Sequence, residues 1–206
     1  MSDTAHLDTE AVSAWLSQRM AGFQGPVRAE KFDGGQSNPT FRLITPSKDF
    51  VLRRKPPGIL LKSAHAVDRE FRVQKALEHS DVPVARMHVL CEDDAVIGSA
   101  FYVMDMVDGI NYDNPALPEV TQDDRRVIQE EMNRVLAAIH SIDIETAQLS
   151  DFGPDGNYYL RQTDRWTKQY KASETEHIPD MDALIDWLGS NIPDDDGQRT
   201  LVHGDY

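Results

Sequence analysis

At 206 residues, with 40% hydrophobic and 27% charged side chains, the chain can bury a sizeable core and has the composition of an ordinary globular protein, which excludes disorder as its default. Thirty-five acidic residues against twenty-one basic ones leave a formal charge of -14, so general affinity for nucleic acid or an anionic membrane is excluded. Cys91 is the only cysteine and MSDTAHLDTE opens without a basic or an apolar signal region, which rules out an intrachain disulfide and a multi-cysteine metal site and points to a cytoplasmic protein.

Val12, Trp15, Leu16 and Met20 recur at helical spacing and predict an amphipathic helix ending near Gly22 and Gly25-Pro26. Two short strands are predicted over 27–32 and 40–45, flanking Gly34-Gly35-Gln36-Ser37-Asn38-Pro39, and a third over 49–54, stopped by Pro56-Pro57-Gly58. A helix from about 66 to 78 carries Val67, Phe71, Gln74 and Leu77 on one stripe. Strands over 87–91 and 100–106 complete a hairpin-rich sheet.

Past Val107-Asp108-Gly109 the pattern turns from strand-rich to helical, which places a boundary between a sheet-bearing lobe, 1–107, and a helical one, 108–206. Thr121 with Asp124 resembles a capping box, and Ile128, Met132, Val135, Leu136 and Ile139 predict a long buried helix. Met181, Leu184, Ile185 and Leu188 predict another, while Trp166, Tyr170 and Trp187 are expected to pack. Thr200-Leu201-Val202 reads as a last short strand.

Paired glycines and small polar residues between two strands let backbone N–H groups approach phosphate oxygens, and GGQSNPT fits that description. In isolation it is equally what a β-hairpin turn needs. Strand alternation puts Val51, Arg53 and Lys55 on one face and Leu52 and Arg54 on the other. Arg54 and Lys55 are expected to reach water. Glu70 shares the stripe of Val67, Phe71 and Leu77, and a core-facing carboxylate needs a partner, for which Arg53 is the natural candidate. A strand cation paired with a helix carboxylate, downstream of a glycine-bearing hairpin, is how kinases hold the α- and β-phosphates of ATP. Leu201-Val202-His203-Gly204-Asp205 has the form of a catalytic loop whose aspartate accepts the substrate's hydroxyl proton. The tripeptide alone is also an ordinary surface turn. His140 and His203 have no third ligand at metal-site spacing.

In this order, GGQSNPTFRL, FVLRRKPPG, HAVDREFRVQKALE, VPVARMHVLCED, FYVMDMVDG, MNRVLAAIHSID and LVHGDY closely resemble the aminoglycoside phosphotransferase-like family, in the branch found beside or fused to acyl-CoA dehydrogenases. The resemblance spans nearly the whole chain. It implies an α+β, protein-kinase-like bilobal fold, with an antiparallel sheet plus helix in the N-lobe and an incomplete helical C-lobe. It implies Gly34, Gly35, Ser37 and Asn38 in the phosphate loop, Arg53 where many kinases have lysine, and Glu70 as its holder. The backbone of Asp105, Met106 and Val107 would meet adenine, with Val51 beneath the ring. Asp205 would be the catalytic base, with His203 supporting its loop.

The implied activity is transfer of the γ-phosphoryl of ATP, with magnesium, to the hydroxyl of a small-molecule acceptor, here a hydroxyacyl-CoA or related hydroxy acid. An aminoglycoside acceptor and a non-catalytic nucleotide-binding module are the alternatives. The family pattern continues beyond Tyr206 with an asparagine and an Asp-containing metal motif, and neither lies in these 206 residues. The expectation is a truncated form that is inactive alone, lacks protein ligands for magnesium and can self-associate through its C-lobe helices.

Overall fold

The computed structural model describes residues 7–32, 38–56, 65–112 and 114–204. The first helix, α1 (Thr9–Arg19), starts at Asp8, whose carboxylate accepts the Ala11 N–H at 2.9 Å, as an N-cap should. Five strands follow: β1 (Arg28–Lys31), β2 (Thr40–Ile44), β3 (Phe50–Arg54), β4 (Met87–Cys91) and β5 (Phe101–Asp105), with α2 (Val67–Leu77) between β3 and β4. They form one antiparallel sheet in the order β1-β2-β3-β5-β4. Each of the five strands expected for the sheet is present, some a residue or two shorter.

Alternation along the strands divides the core. Phe41, Leu43, Phe50, Leu52, Phe101 and Val103 face one way and bury Val12 and Leu16 of α1, with Trp15 set edge-on to Phe101 at 5.2 Å. Ala100 and Tyr102 face the other way, onto Val67 and Phe71 of α2. The central strand β3 is thus covered on both faces, which places Arg53 on the α2 side.

The opposite register position overturns one expectation. Arg54 does not reach water: it is 5% exposed and its guanidinium lies 5.5 Å from the Phe41 ring centroid. Its stem follows the apolar face of β3, where a cation over an aromatic ring is favourable. Lys55 is about a third exposed, 3.9 Å from Asp68.

By compactness one unit spans Met1–His140 with His203–Tyr206 and the other Ser141–Val202. In the first, α3 (Gln122–His140) is capped by Thr121, whose hydroxyl accepts the Asp124 N–H at 3.1 Å and donates to the Asp124 carboxylate at 2.7 Å. Thr121→Ala should therefore cost about 1 kcal/mol, read as a shift in the urea midpoint at unchanged m-value. The expected burial of α3 is not found: within its stripe Ile139 is buried, while Met132 is 42% exposed. A periodic apolar face shows only which side can be covered, and packing elsewhere decides whether it is.

In the second unit α4 (Tyr158–Ser173) and α5 (Pro179–Ser190) pack on each other. Asn157 caps α4 by accepting the Leu160 N–H at 3.0 Å. This helix was not foreseen, because its apolar stripe is aromatic and broken by polar residues. Lys171 of α4 pairs with Asp182 of α5 and lies 3.6 Å from Glu174. Trp166 and Trp187 are more than half exposed, contrary to the packing role expected for them. Thr200–Val202 is irregular rather than a strand. β-propensity gives a strand only when a neighbouring strand takes up its hydrogen bonds, and none does among the described residues.

Candidate functional site

The site grows from the α2 side of β3. Alternation aims Arg53 at α2, and helical periodicity aims Glu70 back at the sheet. The two meet as expected: Arg53 Nε donates to Glu70 Oε2 at 2.8 Å, and the side chains are 33% and 32% exposed. Glu70 also accepts from Asn38 Nδ2 at 2.8 Å on Oε1 and from the Tyr102 hydroxyl at 3.1 Å on Oε2. A carboxylate only accepts, so three donors on two oxygens satisfy it well for a partly buried anion.

The supporting side chains are mostly ones the sequence did not single out. Tyr102 stands opposite Arg53 in the β3–β5 register and is 1% exposed. Burial, and then the Glu70 charge, push its hydroxyl well above the ordinary tyrosine range, so it stays a donor. Gln74, one turn beyond Glu70, reaches the Tyr102 oxygen at 3.4 Å. Thr40 accepts from Arg53 Nη1 at 3.3 Å. The signal available for Tyr102 was its place in the alternation, facing α2.

Among the proposed phosphate-loop residues, Asn38 is 4% exposed and its carboxamide is turned onto Glu70 and His65. Gly34, Gly35 and Ser37 lie outside the described residues, as does Asp205. Val51 is buried two residues from Arg53 on the same strand face. Asp105 closes β5, held by its N–H to the Arg86 carbonyl at 2.9 Å, and Met106 and Val107 follow in irregular backbone. His203 is exposed in the irregular segment after 200.

An anion would find a cation ready here. Arg53 uses Nε and Nη1 on Glu70 and Thr40, while its Nη2 makes no hydrogen bond among the described residues. With a third of the side chain exposed, that edge of the guanidinium is able to receive a phosphate oxygen. The residues present therefore fit the phosphates of a nucleotide. Among the described residues no cluster of three or more His, Cys, Asp or Glu is placed to hold a metal ion.

On the α1 side, the Asp105 carboxylate accepts from Lys48 Nζ at 2.7 Å and lies 2.6 Å from His88 Nε2, with Phe50 packed on both partners. Burial pushes the Asp105 carboxyl up, but the bonds and charges of Lys48 and His88 outweigh it and hold the group below its ordinary value of 3.8. A carboxylate with a depressed folded-state pKa contributes stability that is complete above 3.8 and is lost as pH falls through the lower folded value. Asp105→Asn should thus flatten the acid side of the unfolding profile below about pH 4.

With the geometry in view, three comparisons agree. A family model described as the phosphotransferase enzyme family, APH, matches residues 28–206. Acyl-CoA dehydrogenase family member 10 of Mus musculus is 47% identical over 182 residues, covering 88% of this chain and 17% of its own length. Family member 11 of the same organism is 43% identical over 203 residues, covering 97% of this chain and 26% of its own. The chain spans about a quarter or less of these relatives. A crystal structure from Ralstonia eutropha, of a candidate aminoglycoside phosphotransferase, superposes with a TM-score of 0.78 at 50% identity over 93% of this chain and 55% of that one. An APH solved as its GDP and kanamycin complex superposes with a TM-score of 0.57 at 14% identity, covering 87% of this chain and 58% of that one, a likeness of fold alone. The fold is therefore the α+β, kinase-like one, and the chain belongs to the APH phosphotransferase family.

Proposed function

We propose that this chain binds ATP and carries the phosphate clamp of a phosphotransferase that acts on a small-molecule hydroxyl, that of a hydroxyacyl-CoA or related hydroxy acid. The observation that carries the reading is the Arg53–Glu70 pair, backed by Asn38 and Tyr102. In this reading Arg53 binds the α- and β-phosphates and Glu70 orients it. Gly34, Gly35 and Ser37 supply backbone donors, and Asn38 ties their loop to Glu70. Val51 and the backbone of Asp105, Met106 and Val107 receive adenine at a hinge that divides the lobes at 107/108. ATP with magnesium supplies the phosphoryl group when bound. Asp205 takes the proton of the acceptor hydroxyl, and His203 supports its loop. A cytoplasmic setting belongs to the same reading.

Two observations favour an acyl acceptor. The relatives are named for acyl-CoA dehydrogenases, and α4 and α5 line a groove of about 450 Å³ with Trp166, Tyr170, Leu184, Ile185 and Leu188, a surface suited to an acyl chain. The likeness to a candidate aminoglycoside phosphotransferase favours a polycationic acceptor instead. Titration with ATP, with and without magnesium, tests the first step, and micromolar binding is expected. Comparing phosphoryl transfer to a hydroxyacyl-CoA and to kanamycin, in a form extended through the family's asparagine and Asp-containing metal motif, tests the acceptor. A much higher kcat/KM for kanamycin would overturn the acyl reading.

A further inference from the structure

We infer that His65 is a positioning residue of the phosphate clamp, acting through Asn38 to orient Glu70 and Arg53. The inference rests on the clamp reading above. His65 Nδ1 stands 2.8 Å from Asn38 Oδ1, Asn38 Nδ2 donates to Glu70 Oε1 at 2.8 Å, and Glu70 Oε2 holds Arg53 Nε at 2.8 Å. These four side chains form a relay from His65, two residues before α2, through the end of the glycine-bearing hairpin, to the cation on β3.

Each proton in the relay is assigned by the next group. The Glu70 carboxylate can only accept, so the amide of Asn38 must present Nδ2 to it and Oδ1 to His65. Oδ1 is itself only an acceptor, so His65 must carry its proton on Nδ1. The imidazole is therefore an obligatory donor at that nitrogen. Asn38 is 4% exposed, and a buried amide oxygen that lost this donor would be left unsatisfied or would turn. A turned amide would present oxygen to the Glu70 carboxylate, and the pair with Arg53 would lose its brace.

The backbone supports the same assignment. His65 has φ 62°, in the left-handed region that non-glycine residues seldom adopt. Its carbonyl accepts the Val67 N–H at 2.9 Å, and Ala66, the N-cap of α2, makes no side-chain cap bond. The chain therefore holds a histidine where a glycine would be less strained, and the hydrogen bond to Asn38 is what a glycine could not make.

The test separates the side chain from the backbone. Glycine tolerates the left-handed φ but has no donor, whereas asparagine tolerates it and puts an amide N–H where Nδ1 stands. In the full chain, binding of a non-hydrolysable ATP analogue with magnesium should weaken about tenfold in His65→Gly and stay within about threefold in His65→Asn, the loss of one hydrogen bond to a buried group. Combining Asn38→Ala with His65→Gly should lower affinity and Tm by less than the sum of the two single losses, because both act through one relay. Equal affinity of the unaltered and His65→Gly chains, or additive losses in the double variant, would overturn the inference. If the unaltered chain binds no nucleotide, the clamp reading fails, and the same cycle on Tm still decides the relay: additive shifts sink it and non-additive shifts support it.

Discussion

Glu70→Ala is expected to lower stability by roughly 2–4 kcal/mol and to weaken nucleotide binding at least tenfold. The pair is one-third exposed, so solvent screening places its own contribution nearer the roughly 0–1 kcal/mol of surface pairs than the roughly 3–5 lost when a buried pair is broken. The larger loss comes from the donors left behind. Asn38 and Tyr102 are 4% and 1% exposed, and each buried donor deprived of its acceptor costs about 1–3 kcal/mol. Chemical denaturation and calorimetric titration measure the two effects. Unchanged stability with intact nucleotide affinity would mean that these donors find other partners and that Glu70 does not brace the cation.

Arg53→Met should separate binding from folding, with a loss of about 10- to 100-fold in nucleotide affinity against about 1 kcal/mol or less in stability. Removing the cation leaves Glu70 with the Asn38 and Tyr102 bonds and with solvent access. A charge still hydrogen-bonded and partly hydrated is not the uncompensated buried ion that destabilises strongly. The phosphate, by contrast, loses its charge-assisted donor, a bond contributing about 1.5–3 kcal/mol. Arg53→Lys is expected to fall between, since an ammonium cannot hold Glu70 and offer a second planar edge at once. An affinity equal to that of the unaltered chain in Arg53→Met would remove Arg53 from the phosphate site.

The local elements and the central pair were legible in the chain because both depend on periodicity. Period two on β3 and period three to four on α2 are enough to aim Arg53 and Glu70 at one another. The order of hairpin, strand cation, helix carboxylate and terminal Gly-Asp pointed to a kinase-like phosphate site, and the longer runs from GGQSNPTFRL to LVHGDY carried the resemblance to the family that the comparisons show. What surrounds the pair was not legible. Tyr102 and Thr40 lie far from Glu70 and Arg53 in sequence, and only the strand register brings them to that carboxylate and guanidinium, while the turn into α2 brings His65 to Asn38.

Burial was also decided in three dimensions. Arg54, a charged residue beside water-seeking neighbours in the sequence, is buried over Phe41, while the apolar Met132 and Trp187 are exposed. A residue's own hydrophobicity states what its burial would contribute, but the packing of other elements decides whether it is covered. Thr200–Val202 makes the same point for hydrogen bonding, since its β-branched residues favour a strand that only a partner could complete. Sequence by itself determined which atoms face one another across a repeat; the tertiary structure decided which distant donors complete Glu70, because those contacts are set by sheet register and not by spacing along the chain.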